Sequence, residues 1–164
     1  MAWTTPRTWV PGEMVTASML NIHLRDNMNA LNPVLGSWTP ILTADGGASG
    51  QTYSSQVGSY YKVGKLVVAT FGMVLTAKGT LTGNLQLSGY PFAGDGNAGY
   101  MPLIWENLGV ALAALYAEVG SSTLGYLRPL AAGGSTSFIN QAMAAAGVTN
   151  TTILRGSLIY TASS

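Results

Sequence analysis

The sequence contains no cysteine and very few charged residues, and both shortages narrow what the chain is expected to do. Without cysteine, disulfide bonds and thiolate metal sites are excluded. Charged residues make up 8% of the chain, whereas ordinary soluble domains carry about 25%. So few charged side chains cannot cover the surface of a monomer as they do in ordinary soluble domains. We therefore expect small polar residues to solvate part of the surface and contacts with other subunits to bury much of the rest.

Basic runs and long apolar stretches are missing as well. The net charge is +1 and no cluster of Lys or Arg could neutralise several phosphates, so nucleic acid is not an expected partner. The longest apolar stretch, residues 110–117, is too short to span a bilayer, and no membrane partner is expected. Residues 1–10 lack the apolar centre of a signal peptide. We expect synthesis in a cytoplasm and placement by assembly.

Groups that carry catalysis or bind metals are scarce. His23 is the single histidine, and the six acidic residues are far apart in the sequence. A distant pair of carboxylates could still meet in space, as in a glycosidase, but we expect no catalytic residue, metal or cofactor. Residues 94–99 match GxGxxG without the strand and helix that a dinucleotide site needs, which favours a surface loop. Asp95 and Asn97 offer too few oxygens there to bind calcium.

The first 33 residues form a segment of their own. Pro6 and Pro11 favour an extended stretch. A helix is then predicted from an N-cap at Thr16 or Ser18 to about Leu31, where an Asn-Pro pair ends it.

One face of this helix has heptad spacing. The face consists of Ala17, Leu20, Leu24, Asn27 and Leu31. Two heptads are too short to be stable alone, so the helix must dock on something. Asn27 either sets the register of a subunit contact or lies at the edge of a face that packs on the chain's own sheet. The candidate oligomerisation and anchoring contacts are Trp3, Trp9, Leu20, Leu24, Asn27 and Leu31.

Residues 34–164 read as a series of short strands separated by glycine-rich turns. The predicted strands are residues 38–43, 51–63, 65–77, 83–88, 100–106, 110–119, 123–130 and 151–160. Strands 51–63 and 65–77 form a hairpin that turns near Gly64. Residues 135–148 are ambiguous between strand and helical turns. The predicted fold is therefore all-β: an antiparallel, jelly-roll-like β-sandwich at 34–164, preceded by an extended segment and a short helix at 1–33.

Aromatic residues are the remaining candidates for ligand binding. They could form a platform on which sugars stack, but packing in the core and between subunits is the favoured interpretation. The residues considered are Trp3, Trp9, Trp38, Trp105, Tyr53, Tyr60, Tyr61, Tyr90, Tyr100 and Tyr126. If a receptor is bound, the predicted ligand-facing loop is the one with Tyr90, Asp95, Asn97 and Tyr100.

Several stretches resemble proteins of bacteriophage particles. The opening, TPRTWVPGEMVTA at 5–17 followed by NIHLRDNMNAL at 21–31, resembles the start of phage tail-fibre, head-fibre and minor structural proteins. In the body, GSYYKVGKLV at 58–67, GNLQLSGYPF at 83–92 and the strand at 150–160 resemble the β-domain of the same proteins. The resemblance implies a location in the virion, assembly in a bacterial cytoplasm and a homotrimer.

Two functions are compatible with this resemblance. The chain is short for a receptor-binding fibre and has no stalk repeat, which favours a non-enzymatic capsid-decoration (cement) or head-fibre protein. Its N-terminal segment would dock on the major capsid protein or another virion protein. The alternative is a tail-fibre protein that recognises a glycan on the host surface.

Overall fold

In a computed structural model, which describes residues 3–97, 99–132 and 143–163, the chain divides into an N-terminal arm and a β-sheet body. The arm, residues 3–31, begins with an extended stretch to Thr16. It continues as helix α1 (Ala17–Leu20), a π-helical turn (Asn21–Arg25) and helix α2 (Asp26–Leu31). These three helical pieces contact one another but make no substantial contact with a strand in the described part of the chain.

The predicted limits of the arm helix are confirmed. The Thr16 side chain accepts a hydrogen bond from the Met19 amide at 3.3 Å and so caps a free N–H of the first turn. The helix ends at Leu31 because Asn32 is already extended and Pro33 disfavours helical backbone in the residue before it. The π-helical turn between the two α-helical pieces was not expected from the sequence.

The body consists of strands joined by short turns. Their bounds are β1 (Val34–Trp38), β2 (Ile41–Ala44), β3 (Ala48–Ser49), β4 (Thr52–Val63), β5 (Leu66–Ala77), β6 (Thr80–Leu81), β7 (Leu85–Ser88), β8 (Gly99–Glu106), β9 (Leu112–Val119), β10 (Leu124–Ala131) and β11 (Ile153–Thr161). A short 3-10 helix, Ala145–Gly147, precedes β11. Of residues 135–148, which the sequence left ambiguous, 135–142 lie outside the described residues, and the described part contains this 3-10 helix.

Nine of these strands form one antiparallel sheet in the order β1-β4-β5-β11-β8-β9-β10-β7-β2, and β3 pairs with β6 separately. Strand β8 belongs to both halves of the sheet: residues 103–106 pair with β11, whereas residues 99–102 pair with β9. The sheet therefore curls at β8 into two layers, with β1, β4, β5 and β11 in layer one and β9, β10, β7 and β2 in layer two. Strands that pass from one layer to the other are a known way to form the corners of a sandwich.

The prediction of one strand over residues 38–43 is wrong. Strand β1 ends at Trp38 in layer one, and β2 begins at Ile41 in layer two. Pro40 lies between them, and proline cannot donate to a β-ladder, so the strand is interrupted there. As a result the two edge strands of the curled sheet are neighbours in the chain.

The core lies between the two layers and is formed by alternating residues of the long strands. In β5 the odd-numbered residues from Val67 to Leu75 are buried, and in β11 Leu154, Leu158 and Tyr160 face the same interior. The predicted hairpin is confirmed, with β4 and β5 paired and Gly64 at positive φ in their turn. The all-β sandwich with a short N-terminal helix is thus the observed fold.

Candidate functional site

The arm exposes an unusual amount of apolar surface. The structure has 21 exposed large apolar side chains among its described residues, and ten of them lie in residues 3–31. These are Trp3, Trp9, Val10, Met14, Val15, Leu20, Ile22, Leu24, Met28 and Leu31. Five of the six predicted anchoring residues are in this set. Exposed apolar patches of this kind mark surfaces that another molecule covers.

Asn27 is the sixth predicted contact, and it is buried within its own chain at 4% exposure. Its side-chain amide donates to the carbonyl oxygens of Thr4 at 2.8 Å and His23 at 3.1 Å. Its side-chain oxygen accepts from the Thr4 amide at 2.9 Å. The two-way bond with the Thr4 backbone fastens the extended start of the arm along the helix. Neither interpretation of Asn27 from the sequence included this contact.

The π-helical turn changes which side chains share a face of the helix. The Asp26 amide bonds back to the Asn21 carbonyl, five residues earlier, so this turn holds about one residue more than an α-helical turn. Side chains after it are rotated relative to those before it. The heptad face is therefore interrupted, and Asn27 is turned inward while Leu20 and Leu24 stay exposed.

A second apolar surface lies on the outside of layer one. The strand register places Leu35 opposite Tyr61, Tyr61 opposite Val68, and Val68 opposite Ile159. We call these four residues the apolar row. Leu35, Tyr61 and Ile159 are each at least half exposed. The adjacent row of this face is polar but uncharged, and consists of Ser37, Ser59, Thr70 and Ser157.

The outside of layer two has a different character, because tyrosines and charged groups share it. Tyr100 lies opposite Glu118, and Tyr116 lies opposite Arg128. The Arg128 guanidinium lies 5.0 Å from the centre of the Tyr126 ring and contacts the Glu118 carboxylate at 2.6 Å. The Tyr126 hydroxyl is 3.4 Å from the Asp45 carboxylate. We call the set Tyr100, Tyr116, Tyr126, Arg128, Glu118 and Asp45 the tyrosine face.

Hydrogen bonds hold the charged groups of the tyrosine face in place. The Asn84 amide donates to Asp45 at 2.7 Å and the Asn84 side chain donates at 2.9 Å, and these bonds lower the pKa of the Asp45 carboxyl. The Glu118 and Arg128 side chains are each less than one-fifth exposed, so their ion pair is better shielded from water than a surface pair. These contacts therefore fix the positions of the Asp45, Glu118 and Arg128 side chains on the face.

The predicted ligand-facing loop does not form one surface. Tyr90 is 3% exposed, and its hydroxyl donates to the Glu118 carbonyl at 2.8 Å from inside the sandwich. Burial raises the pKa of Tyr90 well above its usual value, so the hydroxyl stays protonated. Asp95 and Asn97 are exposed but bond to each other. Tyr100 belongs to the tyrosine face. The assignment of Tyr90 to a ligand surface is wrong because its ring fills the core.

The other aromatic residues divide between core and surface. Trp38 and Tyr90 are buried, and Tyr53, Tyr60 and Trp105 pack against the core. Packing in the core, the favoured interpretation of the aromatic residues, is confirmed for these five.

Sequence reasoning missed part of the tyrosine face. Tyr116 was not among the aromatic candidates, although Tyr116 and Glu118, like Tyr126 and Arg128, are spaced i, i+2 in predicted strands. Residues at that spacing lie on one face of a strand, so the signal was present.

Similarity to known proteins is limited to the fold. No protein-family model matches the chain, and no curated protein matches its sequence significantly. Among solved structures, the chain is similar to the Dettilon tailspike protein (gp208), with a TM-score of 0.58 and 14% sequence identity. The match covers 79% of this chain and 24% of the tailspike chain, so this chain spans about a quarter of that protein's length.

Across the described ranges, no helix is both long enough and apolar enough to cross a bilayer.

Proposed function

We propose that this protein is a non-enzymatic structural component of the surface of a bacteriophage particle, anchored through its N-terminal arm. The observation that carries the proposal is the concentration of exposed apolar side chains in residues 3–31, beside a sandwich that buries its own core. An element whose apolar side chains are covered neither by its own fold nor by its own sheet needs a partner to bury them. The partner we propose is the major capsid protein or another virion protein.

Self-association is part of the proposal. The apolar row lies on the outer face of layer one. Its residue Leu35 belongs to β1, the strand that follows the arm directly after Asn32 and Pro33. The arm and the apolar row are thus two apolar surfaces on adjacent stretches of chain. We propose that copies of this chain, as a homotrimer, cover the apolar row mutually, while the arm docks on the virion partner. Burial of both surfaces accounts for a charged content of only 8%.

Within the particle, the first candidate role is a capsid-decoration or head-fibre protein that reinforces the shell or projects from it. The exposed apolar side chains of the arm, which suit docking on a shell, support this role. The second candidate is a tail-fibre protein that recognises a host glycan. Similarity to the fold of a tailspike protein favours this second role, and the tyrosine face would be its recognition surface.

Two experiments test the proposal: one locates the protein on the particle, and the other asks whether the arm attaches it there. Intact particles are labelled with gold-coupled antibody to this protein, and label over the head supports the first role, whereas label on the tail supports the second.

In parallel, particles are produced with the double variant Leu24→Ser and Leu31→Ser, which makes the exposed arm polar. We expect this variant to fold but to be depleted from particles at least tenfold, since two buried leucines contribute about 3 kcal/mol or more.

The control is Leu124→Ser, because Leu124 is an exposed leucine in β10 of layer two, whereas the arm leads into β1 of layer one. It should enter particles like the unaltered protein. Normal incorporation of the arm variant, or absence of label from the particle, would show that the proposal is wrong.

A further inference from the structure

We propose that the tyrosine face is a binding site for a neutral oligosaccharide. This inference rests on the second candidate function, in which the sandwich faces the host surface, and it assigns that function a site and a ligand class. It moves the ligand surface from the predicted loop to the outside of layer two.

The first reason is the combination of groups on the tyrosine face. A pyranose ring has faces of C–H groups and a rim of hydroxyls, so it is bound by aromatic rings with hydrogen-bonding groups beside them. Tyr100 is exposed, and Tyr116 and Tyr126 are partly exposed. Arg128 supplies donors, and Glu118 and Asp45 supply acceptors. The outside of layer one also carries an ion pair, Arg155 with Glu106. In the described residues the row of Ser and Thr side chains separates this pair from the exposed Tyr61, so rings and charges are not combined there.

The second reason is that the site is already held in shape. The rings project from three neighbouring strands, β8, β9 and β10, whose spacing of about 4.8 Å is fixed by backbone hydrogen bonds. Arg128 is held by its ion pair with Glu118 and its position over the Tyr126 ring, and Asp45 is held by Asn84. Side chains fixed before binding lose little conformational entropy when a ligand arrives.

The charge of the face selects the kind of saccharide. Two carboxylates and one guanidinium give the face an excess of negative charge, and the hydrogen bonds from Asn84 lower the pKa of Asp45, which keeps its carboxyl ionised. An acidic sugar would meet like charges on a partly desolvated surface, which is unfavourable. A chain of neutral hexoses or N-acetylhexosamines has no such conflict. The inferred ligand is therefore neutral.

The experiment measures binding of free hexasaccharides to the full-length protein by NMR titration. The neutral probes are malto-, manno- and chitohexaose, and an oligogalacturonate of the same length is the acidic probe. We expect at least one neutral probe to bind and to shift the signals of β8–β10, while the acidic probe does not. Tyr126→Ser should weaken binding about tenfold by removing one stacking ring, and Tyr126→Phe should retain it.

The matched control is Tyr61→Ser, which removes an exposed tyrosine from the opposite face. Because the free probes are monovalent, a change of oligomeric state at Tyr61 leaves the affinity per site unaltered. Equal weakening by Tyr61→Ser and Tyr126→Ser, or binding of the acidic probe alone, would overturn the inference. No binding by any probe, together with a changed oligomeric mass for Tyr126→Ser, would show that the face is a protein contact instead. Incorporation of Tyr126→Ser into particles is scored separately, so failure of this inference is distinguishable from failure of the anchoring proposal.

Discussion

Asn27 shows how one side chain organises the arm. It bonds with both the amide and the carbonyl of Thr4 and is the most deeply buried residue of the arm. In a sequence, a polar residue within an otherwise apolar helix face is typical of a residue that sets the register of a coiled coil. The structure instead uses the amide, which is both donor and acceptor, to pair with extended backbone as a neighbouring strand would.

The bonds between Asn27 and the Thr4 backbone predict the effect of a substitution at Asn27. Asn27→Leu removes the hydrogen bonds to Thr4. An unpaired buried backbone group costs about 1–3 kcal/mol, so the Thr4 backbone should leave the helix and bond to water instead. We expect the Thr4 amide to lose its protection against hydrogen exchange, while the melting temperature of the sandwich stays the same. Met28→Leu, a substitution at an exposed neighbour, should leave the protection intact.

A different result would restore the subunit interpretation of Asn27. If Asn27→Leu alters the oligomeric mass while the Thr4 amide stays protected, Asn27 acts between subunits and not within the arm.

The β4–β5 hairpin is the central element of layer one, because β4 pairs with the edge strand β1 and β5 pairs with β11. Its turn places Gly64 at φ +55, in the left-handed region that residues with a Cβ rarely occupy. No neighbouring atom would obstruct a side chain there, so the backbone angle alone makes glycine preferable.

At the element scale we therefore predict that Gly64→Ala destabilises the sandwich by about 1 kcal/mol, the approximate cost of left-handed backbone for an L-residue. Gly120→Ala is the matched control, since Gly120 is equally free of neighbours but lacks the positive φ. It should be neutral or slightly stabilising, because alanine restricts the unfolded chain. Chemical denaturation of both variants measures the difference, and equal losses would contradict the backbone explanation.

The whole molecule has two outer faces of different chemistry. Layer one presents the apolar row, uncharged polar residues and the exposed ion pair of Arg155 with Glu106, whereas layer two presents tyrosines beside charges that hydrogen bonds hold in place. The division suits an assembly in which one face meets other copies and the other face remains accessible.

At this scale we predict that the double variant Leu35→Ser and Ile159→Ser lowers the mass of the assembly in analytical ultracentrifugation without unfolding the sandwich. Both side chains are at least half exposed in the single chain, so their loss removes little from the core. Leu124→Ser, on the other layer, should leave the mass unchanged. An unaltered mass for the double variant would exclude the apolar row from subunit contacts.

The strands and their inward faces were predictable because they follow from local rules. The alternation of Ile153, Leu154 and Arg155 places Leu154 inside, and the alternation in β5 does the same for Met73. Thr16 and Pro33 marked the ends of the arm helix through capping and the steric effect of proline. Each of these signals acts within a few residues, so the sequence alone displays it.

The sequence by itself therefore determined the all-β class, the separate arm and the low charge. Only the tertiary structure decided that Tyr90 is a core residue, that Asn27 pairs with Thr4, and that Asp45, just after β2, joins residues of β8, β9 and β10 in one tyrosine face. The physical reason is that these relations join residues 10 to 81 positions apart in the chain. Contacts at such distances depend on strand order and on the curl of the sheet at β8, which no local pattern encodes.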